Sequence, residues 1–176
     1  MNKGKLILSM ILVMTAAAAT TSANAQSVKG KNYVNAGIGI GTYGLHGTGG
    51  LPITASYEHG FTDQISAGLY LGYVGRKYAD DWKYSYRIIG VRGSYHFNEL
   101  LKITEPKLDV YGGVAVFHRG FTLKYEAGGE KYKATDGDIS VGIHAAARYM
   151  FADNIGAYAE IGYGLSPLQL GVSFVF

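Results

Sequence analysis

The strict alternation of the last eleven residues, 166–176, limits this chain more than any other feature. Leu168, Leu170, Val172, Phe174 and Phe176 fall on one face, and the residues between them are mostly small or polar. A period of two predicts a β-strand with one apolar face. That face must lie against a protein core or against lipid, and the rest of the chain decides between the two.

The first 25 residues have the three parts of a secretory signal peptide. Lys3 and Lys5 precede an apolar run at 6–14, and residues 23–25 read Ala-Asn-Ala before Gln26. A transmembrane anchor is the alternative, but the run is shorter than the about 20 apolar residues that cross a bilayer. We therefore expect a cleavable signal at 1–25 and a β-barrel domain at 26–176.

Charge and cysteine content exclude several classes of protein. The signal contains two of the 16 basic residues and none of the 13 acidic ones, so 14 − 13 leaves a formal charge of +1. A nearly neutral domain has no electrostatic footprint for nucleic acid. With no cysteine, the chain has neither a disulfide framework nor thiolate chemistry.

Eight alternating segments follow the signal. The chain has 26 glycines, yet they alternate with apolar residues rather than forming a linker. No segment after residue 25 is apolar enough for a transmembrane helix, and a sheet that crosses lipid must be closed. The predicted strands lie at about 33–43, 53–59, 64–74, 86–97, 108–117, 138–151, 155–165 and 166–176.

The two faces of these strands differ in one consistent sense. One face is free of charge along all eight segments, and the other carries the charged residues. A soluble ligand-binding barrel would have the reverse pattern, with an apolar lumen and a charged exterior. The sequence therefore predicts an all-β fold, an eight-stranded antiparallel up-and-down transmembrane barrel with a polar interior.

The connections alternate in length. Residues 60–63, 97–107 and 152–154 predict the shorter connections at one rim, the middle one somewhat longer than the other two. Residues 42–51, 75–84 and 118–137 predict longer polar loops at the other rim. Short periplasmic turns and long outer loops are typical of bacterial outer-membrane barrels. Trp82, the single tryptophan, is interpreted as an anchor in the outer aromatic girdle, with a contact residue as the alternative.

The signal, the eight strands and the aromatic final strand resemble the small, single-domain, eight-stranded outer-membrane barrels of the OmpX/OmpA type. The resemblance is architectural and covers the whole of 26–176. It implies a location in the Gram-negative outer membrane, contact with lipid and lipopolysaccharide, and a porin-like wall without a large pore. It also implies insertion by the outer-membrane assembly machinery, with Phe174 and Phe176 as the assembly signal.

Charged interior residues predict a polar network that fills the lumen, because buried charges must be paired. Closing the turn at 152–154 places Arg148 opposite Tyr158 and His144 opposite Gly162, with Glu160 diagonal to both. Closing the turn after Phe97 places His96 opposite Asp109. A proton or ion path through the lumen is the alternative. The predicted network comprises Glu58, Arg92, His96, Asp109, His144, Arg148 and Glu160.

No catalytic, cofactor or metal site is predicted. Ser140 and His144 share a strand face but lie four residues, about 13 Å, apart, too far for a nucleophilic dyad. His46 and His118 lie near the outer rim without a suitable serine. The five histidines do not fall at ligand spacing. A lipid A or phospholipid-modifying enzyme remains as an alternative function.

The third outer connection alternates on both sides of Gly128-Gly129, which predicts a β-hairpin ribbon beyond the membrane. Its edge would add a strand from an extracellular protein ligand, or the ribbon would be a solvated loop. The candidate contact residues are Phe121, Leu123, Tyr125 and Tyr132. We expect a monomer with a structural or interaction role at the surface: adhesion, envelope integrity or defence. A narrow channel or transporter is a further alternative.

Overall fold

The structure is a computed structural model that describes residues 27–44, 47–78, 82–127 and 130–176. The expected signal peptide, His46 and the Gly128-Gly129 turn lie outside the described residues. Within those ranges, no helix has the length and apolarity to cross a membrane.

Nine strands account for most of the described residues. Eight are long enough to span a membrane or nearly so, and one is a two-residue strand in the first outer connection. In chain order they are β1 Asn32–Ile40, β2 Thr48–Gly49, β3 Ile53–Gly60, β4 Ile65–Tyr78, β5 Trp82–His96, β6 Leu108–Ala127, β7 Glu130–Met150, β8 Ile155–Tyr163 and β9 Leu168–Val175.

Eight of these strands form a closed ring. Each pairs antiparallel with the next in the order β1, β3, β4, β5, β6, β7, β8 and β9. The ring closes between β9 and β1, from Tyr33↔Val175 to Ile40↔Leu168. The predicted eight-stranded, antiparallel up-and-down barrel is confirmed, and all eight predicted strands are present.

The barrel is apolar outside and polar inside. Ile89 on β5 is 62% exposed, and Leu170 and Val172 on β9 are also exposed. The opposite phase of the strands is buried and polar, as at Arg92 and Ser94 on β5. The exterior therefore needs lipid, whereas the interior polar groups need one another.

Half of the ring rises well above the other half. β4 and β5 pair as far as Tyr78↔Trp82, and β6 and β7 as far as Ala127↔Glu130. The predicted hairpin of β6 and β7 is confirmed, but β5 also pairs with β6 as far as Trp82↔Tyr125. We call the part of β4–β7 at 75–78, 82–87, 119–127 and 130–138 the outer wall.

The predicted loop at 75–84 is therefore wrong, because β4 and β5 continue through most of it. On β5, Tyr84, Ser85 and Tyr86 pair with Leu123, Thr122 and Phe121 of β6. β2 pairs with Arg76 and Lys77 and covers the β4 edge of the outer wall. At the other edge, β8 pairs with β7 only from Ile143 inward.

Two further expectations are corrected. Alternation over the predicted strand at 155–165 places Leu165 on the uncharged, lipid-facing side, but β8 ends at Tyr163 and Leu165 is 3% exposed. The turn directs it inward, and Ser166 Oγ lies 2.9 Å from the Ile40 carbonyl oxygen. Trp82 lies at the tip of the outer wall and packs on Tyr125 at 4.7 Å, away from the membrane girdle assigned to it.

Candidate functional site: the lumen network and the outer wall

The centre of the lumen is built around Arg92. Glu58, Gly68 and Arg92 are consecutive partners in one register row across β3, β4 and β5. Gly68 has no side chain, so the Arg92 guanidinium spans the gap, with Nε 3.1 Å from Glu58 Oε1. Its Nη2 donates to Glu160 Oε2 at 2.8 Å from the far side of the barrel. One buried arginine thus pairs with two buried carboxylates.

A second cluster forms around Arg148, nearer the periplasmic rim. Arg148 Nη1 donates to Asp109 Oδ2 at 2.9 Å. The guanidinium carbon lies 4.3 Å from the ring centre of Tyr33 and 4.8 Å from that of Tyr111. Two aromatic faces and a carboxylate therefore replace water around this charge.

Ser66 and His96 join the two clusters. His96 Nδ1 lies 2.8 Å from Asp109 Oδ1, and its Nε2 lies 3.0 Å from Ser66 Oγ. The Ser66 hydroxyl donates to Glu58 Oε2 at 2.8 Å. Hydrogen bonds and ion pairs thus run without interruption from Arg148 to Glu160.

The seven residues predicted for the network all lie on the lumen side of their strands. Six are buried, and the half-buried His144 has its Nε2 3.0 Å from Ser94 Oγ. Arg148 lies opposite Tyr158 and His144 opposite Gly162, as the short turn predicts. Glu160, however, pairs with Arg92 rather than with Arg148 or His144.

The predicted pairing of His96 with Asp109 is wrong in register, because His96 lies opposite Tyr111. The turn at 97–107 is asymmetric. Asn98 holds β6 with both ends of its amide, donating to the Leu108 carbonyl and accepting from the Val110 amide at 2.8 Å. The His96 and Asp109 side chains meet diagonally.

Sequence reasoning missed several members of the network. Gln169 Nε2 donates to Glu160 Oε1 at 3.1 Å and lies 3.4 Å from the Tyr70 hydroxyl. Asn35 contacts Arg148 from β1. Both residues lie on the polar, lumen-facing side of their strands, and this position was the evidence in the sequence that could have identified them. Their partners could not be predicted, because neither side chain carries a charge that requires an opposite charge.

The outer half of the lumen contains an apolar cluster, with the Arg119 guanidinium over the rings of Phe117 and Tyr86. Its buried cluster comprises Tyr70, Val74, Ile88, Ala115, Phe117 and Leu165, with Tyr84, Tyr86 and Phe121 packed against it. A cavity of about 10 Å³ lies between this cluster and the Arg92 site. That volume holds about one water molecule. We call the six buried residues and the three aromatic residues packed against them the outer cluster. The sequence did not predict this cluster, because the whole interior was expected to be polar.

Ser66, His96 and Asp109 have the connectivity of a nucleophile, a base and an orienting acid. Two features oppose that chemistry. The single proton of the Ser66 hydroxyl is donated to Glu58, and Ser66 is 1% exposed. A nucleophile needs its proton directed to the base and needs access to a substrate.

Among the described residues, no group of three or more His, Asp or Glu side chains is arranged to hold a metal ion. His118 lies on the exterior face between Ile89 and Ile139 in one register row. Its register neighbours are thus two isoleucines, which cannot bind a metal ion.

The four candidate contact residues of the hairpin have different surroundings. Phe121 packs on Tyr86 at 5.3 Å within the outer cluster. Leu123 and Tyr125 are half-buried, and Tyr132 is 59% exposed. Only Tyr132 presents most of its surface to an incoming partner.

The predicted assembly residues lie on the exterior of the closing strand. Phe174 and Phe176 are both exposed. The backbone of Phe176 exchanges two hydrogen bonds with Asn32, at 2.7 and 3.0 Å. The segment assigned as a recognition signal is thus also the segment that closes the ring.

A closed ring with an apolar exterior and a paired, charged lumen defines the class: a small transmembrane β-barrel. No protein-family model and no curated protein matches the chain. The solved structures show where its fold occurs. The N-terminal β-barrel domain of Pseudomonas aeruginosa OprF matches with a TM-score of 0.58 at 19% identity, covering 84% of this chain and 98% of that one.

A major outer membrane protein from Thermus thermophilus matches with a TM-score of 0.60 at 12% identity, covering 83% of this chain and 98% of that one. Ail of Yersinia pestis, in complex with the heparin analogue sucrose octasulfate, matches with a TM-score of 0.52 at 15% identity, covering 84% and 99%. The fold is that of the small outer-membrane barrels of the OmpX/OmpA type. The exposed apolar residues around the ring suit a fold that spans lipid.

Proposed function

We propose that this protein is a non-catalytic surface protein of the outer membrane, which acts through contacts of its outer wall in adhesion or envelope integrity. One observation carries the proposal: paired strands rise from one side of a barrel whose lumen is filled by the Arg92 network and the outer cluster. A filled lumen leaves the wall as the part of the molecule that can meet a partner.

The contact surface that we favour is the free edge of β7, at 130–142. Backbone groups of an edge strand bind an extended segment of a partner by strand addition. Lys131, Lys133, Asp136 and Asp138 are exposed along this edge. Charges at an edge oppose indiscriminate pairing, so a partner must complement two positive charges followed by two negative ones. A solvated wall without a partner is the competing interpretation.

The fold neighbours support the proposal in general terms. Ail is described as an attachment invasion locus protein, and its structure was determined with a sulfated sugar. Its likeness to this chain lies in the fold, so the nature of any partner must come from the wall itself.

A truncated hairpin tests the proposal. Deleting 123–127 and 130–134 removes the register pairs from Leu123↔Ala134 to Ala127↔Glu130 and leaves Gly128-Gly129 to join Thr122 and Thr135. In cells whose outer membrane otherwise lacks the protein, we expect the full chain to promote attachment to animal-cell monolayers or resistance to detergent. The truncated chain should insert equally well but lose both effects.

A control variant, Ile38→Val on the lipid-facing side of β1 and outside the proposed edge, should behave as the full chain. Equal attachment and detergent resistance with the full chain, the truncated chain and no protein would contradict the proposed role.

The contact among Ser66, His96 and Asp109 favours lipid A modification as the second candidate. Mass spectrometry of lipid A, with and without the protein in the outer membrane, separates the two. We expect identical spectra. An acyl-chain change that the Ser66→Ala variant abolishes would establish the enzyme and remove the proposal.

A further inference from the structure

The upper part of β7 presents backbone groups that no described strand pairs with. Among the described residues, β8 pairs with β7 only from Ile143 inward. The Met150 amide donates to the Lys107 carbonyl, which lies on the β6 side. Successive residues of a strand direct their backbone groups to opposite sides. Because the register between β6 and β7 is unbroken, residues 131, 133, 135 and 137 direct their N–H and C=O groups to the free edge.

The two faces of this edge carry charges of opposite sign. Lys131 and Lys133 share the outward, lipid-facing phase of β7 with Ile139. Asp136 and Asp138 lie on the inward phase, toward the barrel axis. All four charged side chains are exposed. A strand that adds to this edge therefore meets two carboxylates on its inward face, at alternate positions.

The Asp136 carboxylate covers one of the backbone donors at the edge. The Gly137 amide donates to Asp136 Oδ1 at 2.8 Å. An added strand needs this N–H for its own ladder, so the carboxylate must move aside when the strand binds. Moving it breaks a charge-assisted hydrogen bond, which a basic side chain on the incoming strand can replace. The edge therefore opposes an uncharged strand more than one that brings a basic residue to Asp136.

Asp138 offers a second carboxylate on the same face. Its Oδ2 accepts from Ser140 Oγ at 2.6 Å, and its side chain is exposed. Arg119 is its register partner on β6, but the guanidinium carbon lies 5.7 Å from the ring centres of Phe117 and Tyr86. Arg119 is thus held over the outer cluster, and the charge of Asp138 remains accessible at the edge.

The spacing of the two carboxylates decides which segment fits. Residues at alternate positions of a strand share one face, about 6.6 Å apart, and adjacent residues lie on opposite faces. Two basic residues at alternate positions can therefore lie beside Asp136 and Asp138 together. Two adjacent basic residues cannot, because in every register one of them faces outward. The outward residues at this level are Thr135 and Gly137, neither of which is charged.

We propose that the free edge of β7 binds an extended segment of a partner protein that carries basic side chains at alternate positions, beside Asp136 and Asp138. The first basic residue draws the Asp136 carboxylate away from Gly137, and the Gly137 amide then donates to the backbone of the partner. The inference rests on the proposed surface role and adds the chemistry of the partner.

A second copy of this chain is the competing occupant, because Lys131 and Lys133 have the required spacing. Two copies in one membrane stand at the same height, however. Lys133 is three residues from Asp136, so the nearest lysine of the second copy would lie about 10 Å along the strand from the level of that carboxylate. The positions of the charges therefore favour a different protein.

The experiment uses the full chain, folded in phosphatidylcholine nanodiscs, and two peptides of about ten residues built from threonine, serine and two lysines. The lysines occupy alternate positions in the test peptide and adjacent positions in the control peptide. Asp136→Asn and Asp138→Asn remove the charges at the edge, and Asp153→Asn, exposed at the opposite rim, is the matched control variant. Fluorescence anisotropy gives the dissociation constants at low salt, where exposed charges are screened least.

We expect the full chain and Asp153→Asn to bind the alternating peptide about threefold more tightly than the adjacent one, as one additional exposed ion pair allows. Asp136→Asn and Asp138→Asn should each lose most of this preference. Equal binding of the two peptides by the full chain, or no binding of either at about 1 mM, would overturn the proposal.

Two further variants separate the capping of Gly137 from the charge and the backbone. Asp136→Ala frees the Gly137 amide, so it should bind a peptide of threonine and serine alone more tightly than the full chain does. If it does not, Asp136 has no capping role. Thr135→Pro removes an N–H that points to the free edge, whereas the pairing with β6 and both carboxylates remain. It should lose the alternating peptide, and unchanged binding would mean ion pairing without strand addition.

The oligomeric state and the attachment assay complete the test. A barrel dimer in detergent that Asp136→Asn dissociates would assign the edge to a second copy and contradict the proposal. Attachment that depends on the hairpin, together with equal binding of both peptides, would leave the proposed function standing without this partner. Peptide selectivity without attachment would support this site and remove the proposed role.

Discussion

Both halves of the lumen are filled by side chains, but one half uses paired charges and the other uses apolar residues. The periplasmic half contains paired charges, with Arg92 between Glu58 and Glu160 and Arg148 against Asp109. The outer half contains the outer cluster, which packs around Phe117 like an apolar core. Paired charges fix partners and angles, whereas apolar packing fixes volume. The lumen is therefore filled by specific polar contacts in one half and by close apolar packing in the other.

The largest effect is expected where a buried charge loses its partner. Arg148→Leu leaves the Asp109 carboxylate buried without its guanidinium, which should lower the free energy of unfolding by about 3–5 kcal/mol. Urea unfolding of the barrel in vesicles measures it, with Arg87→Leu at the exposed rim as the control. Conductance in planar bilayers should not change, because the outer cluster still closes the lumen. A conductance change at unchanged stability would indicate an ion path instead.

The outer cluster should respond to volume rather than to charge. Phe117→Ala removes a side chain that is 1% exposed, and we expect a loss of about 3 kcal/mol in unfolding free energy. Phe117→Leu should lose much less, since it keeps most of the volume. If Phe117→Ala were as stable as the full chain, the outer half of the lumen would not be packed as described.

The smallest effect tests the link between the two clusters. Ser66→Ala leaves Glu58 Oε2 and His96 Nε2 without the hydroxyl that joins them, which should cost about 1–2 kcal/mol. Thr135→Ala, on the exposed edge strand, should lie within about 0.5 kcal/mol of the full chain. A Ser66→Ala loss as large as that of Arg148→Leu would mean that the network behaves as one unit.

The barrel was predictable because lipid acts on every strand in the same way. One uncharged face repeated over eight segments leaves closure as the only solution, and the structure has that form. Register was predictable across the short turn at 151–154, where Arg148 meets Tyr158. It failed across 97–107, where Asn98 sets an asymmetric turn that the alternation does not encode.

The outer parts were harder to predict for two separate reasons. The polar segment at 75–84 predicts a loop, although Lys77 and Lys83 are paired partners in a sheet. The interior of a membrane barrel was expected to be polar, so Phe117 and Leu165 gave no signal of an apolar cluster. In both places a neighbouring strand, distant in sequence, decides the environment of the residue.

Ring closure has a consequence for the order in which the molecule folds. Asn32 and Phe176 exchange backbone hydrogen bonds although 144 positions separate them in the chain. The seam between β1 and β9 must therefore form last or be templated, and until it forms two strand edges remain unpaired. Strands that have paired before the seam forms would make an open sheet with an apolar face. We therefore expect slow closure of the seam to appear as aggregation before any loss of native stability.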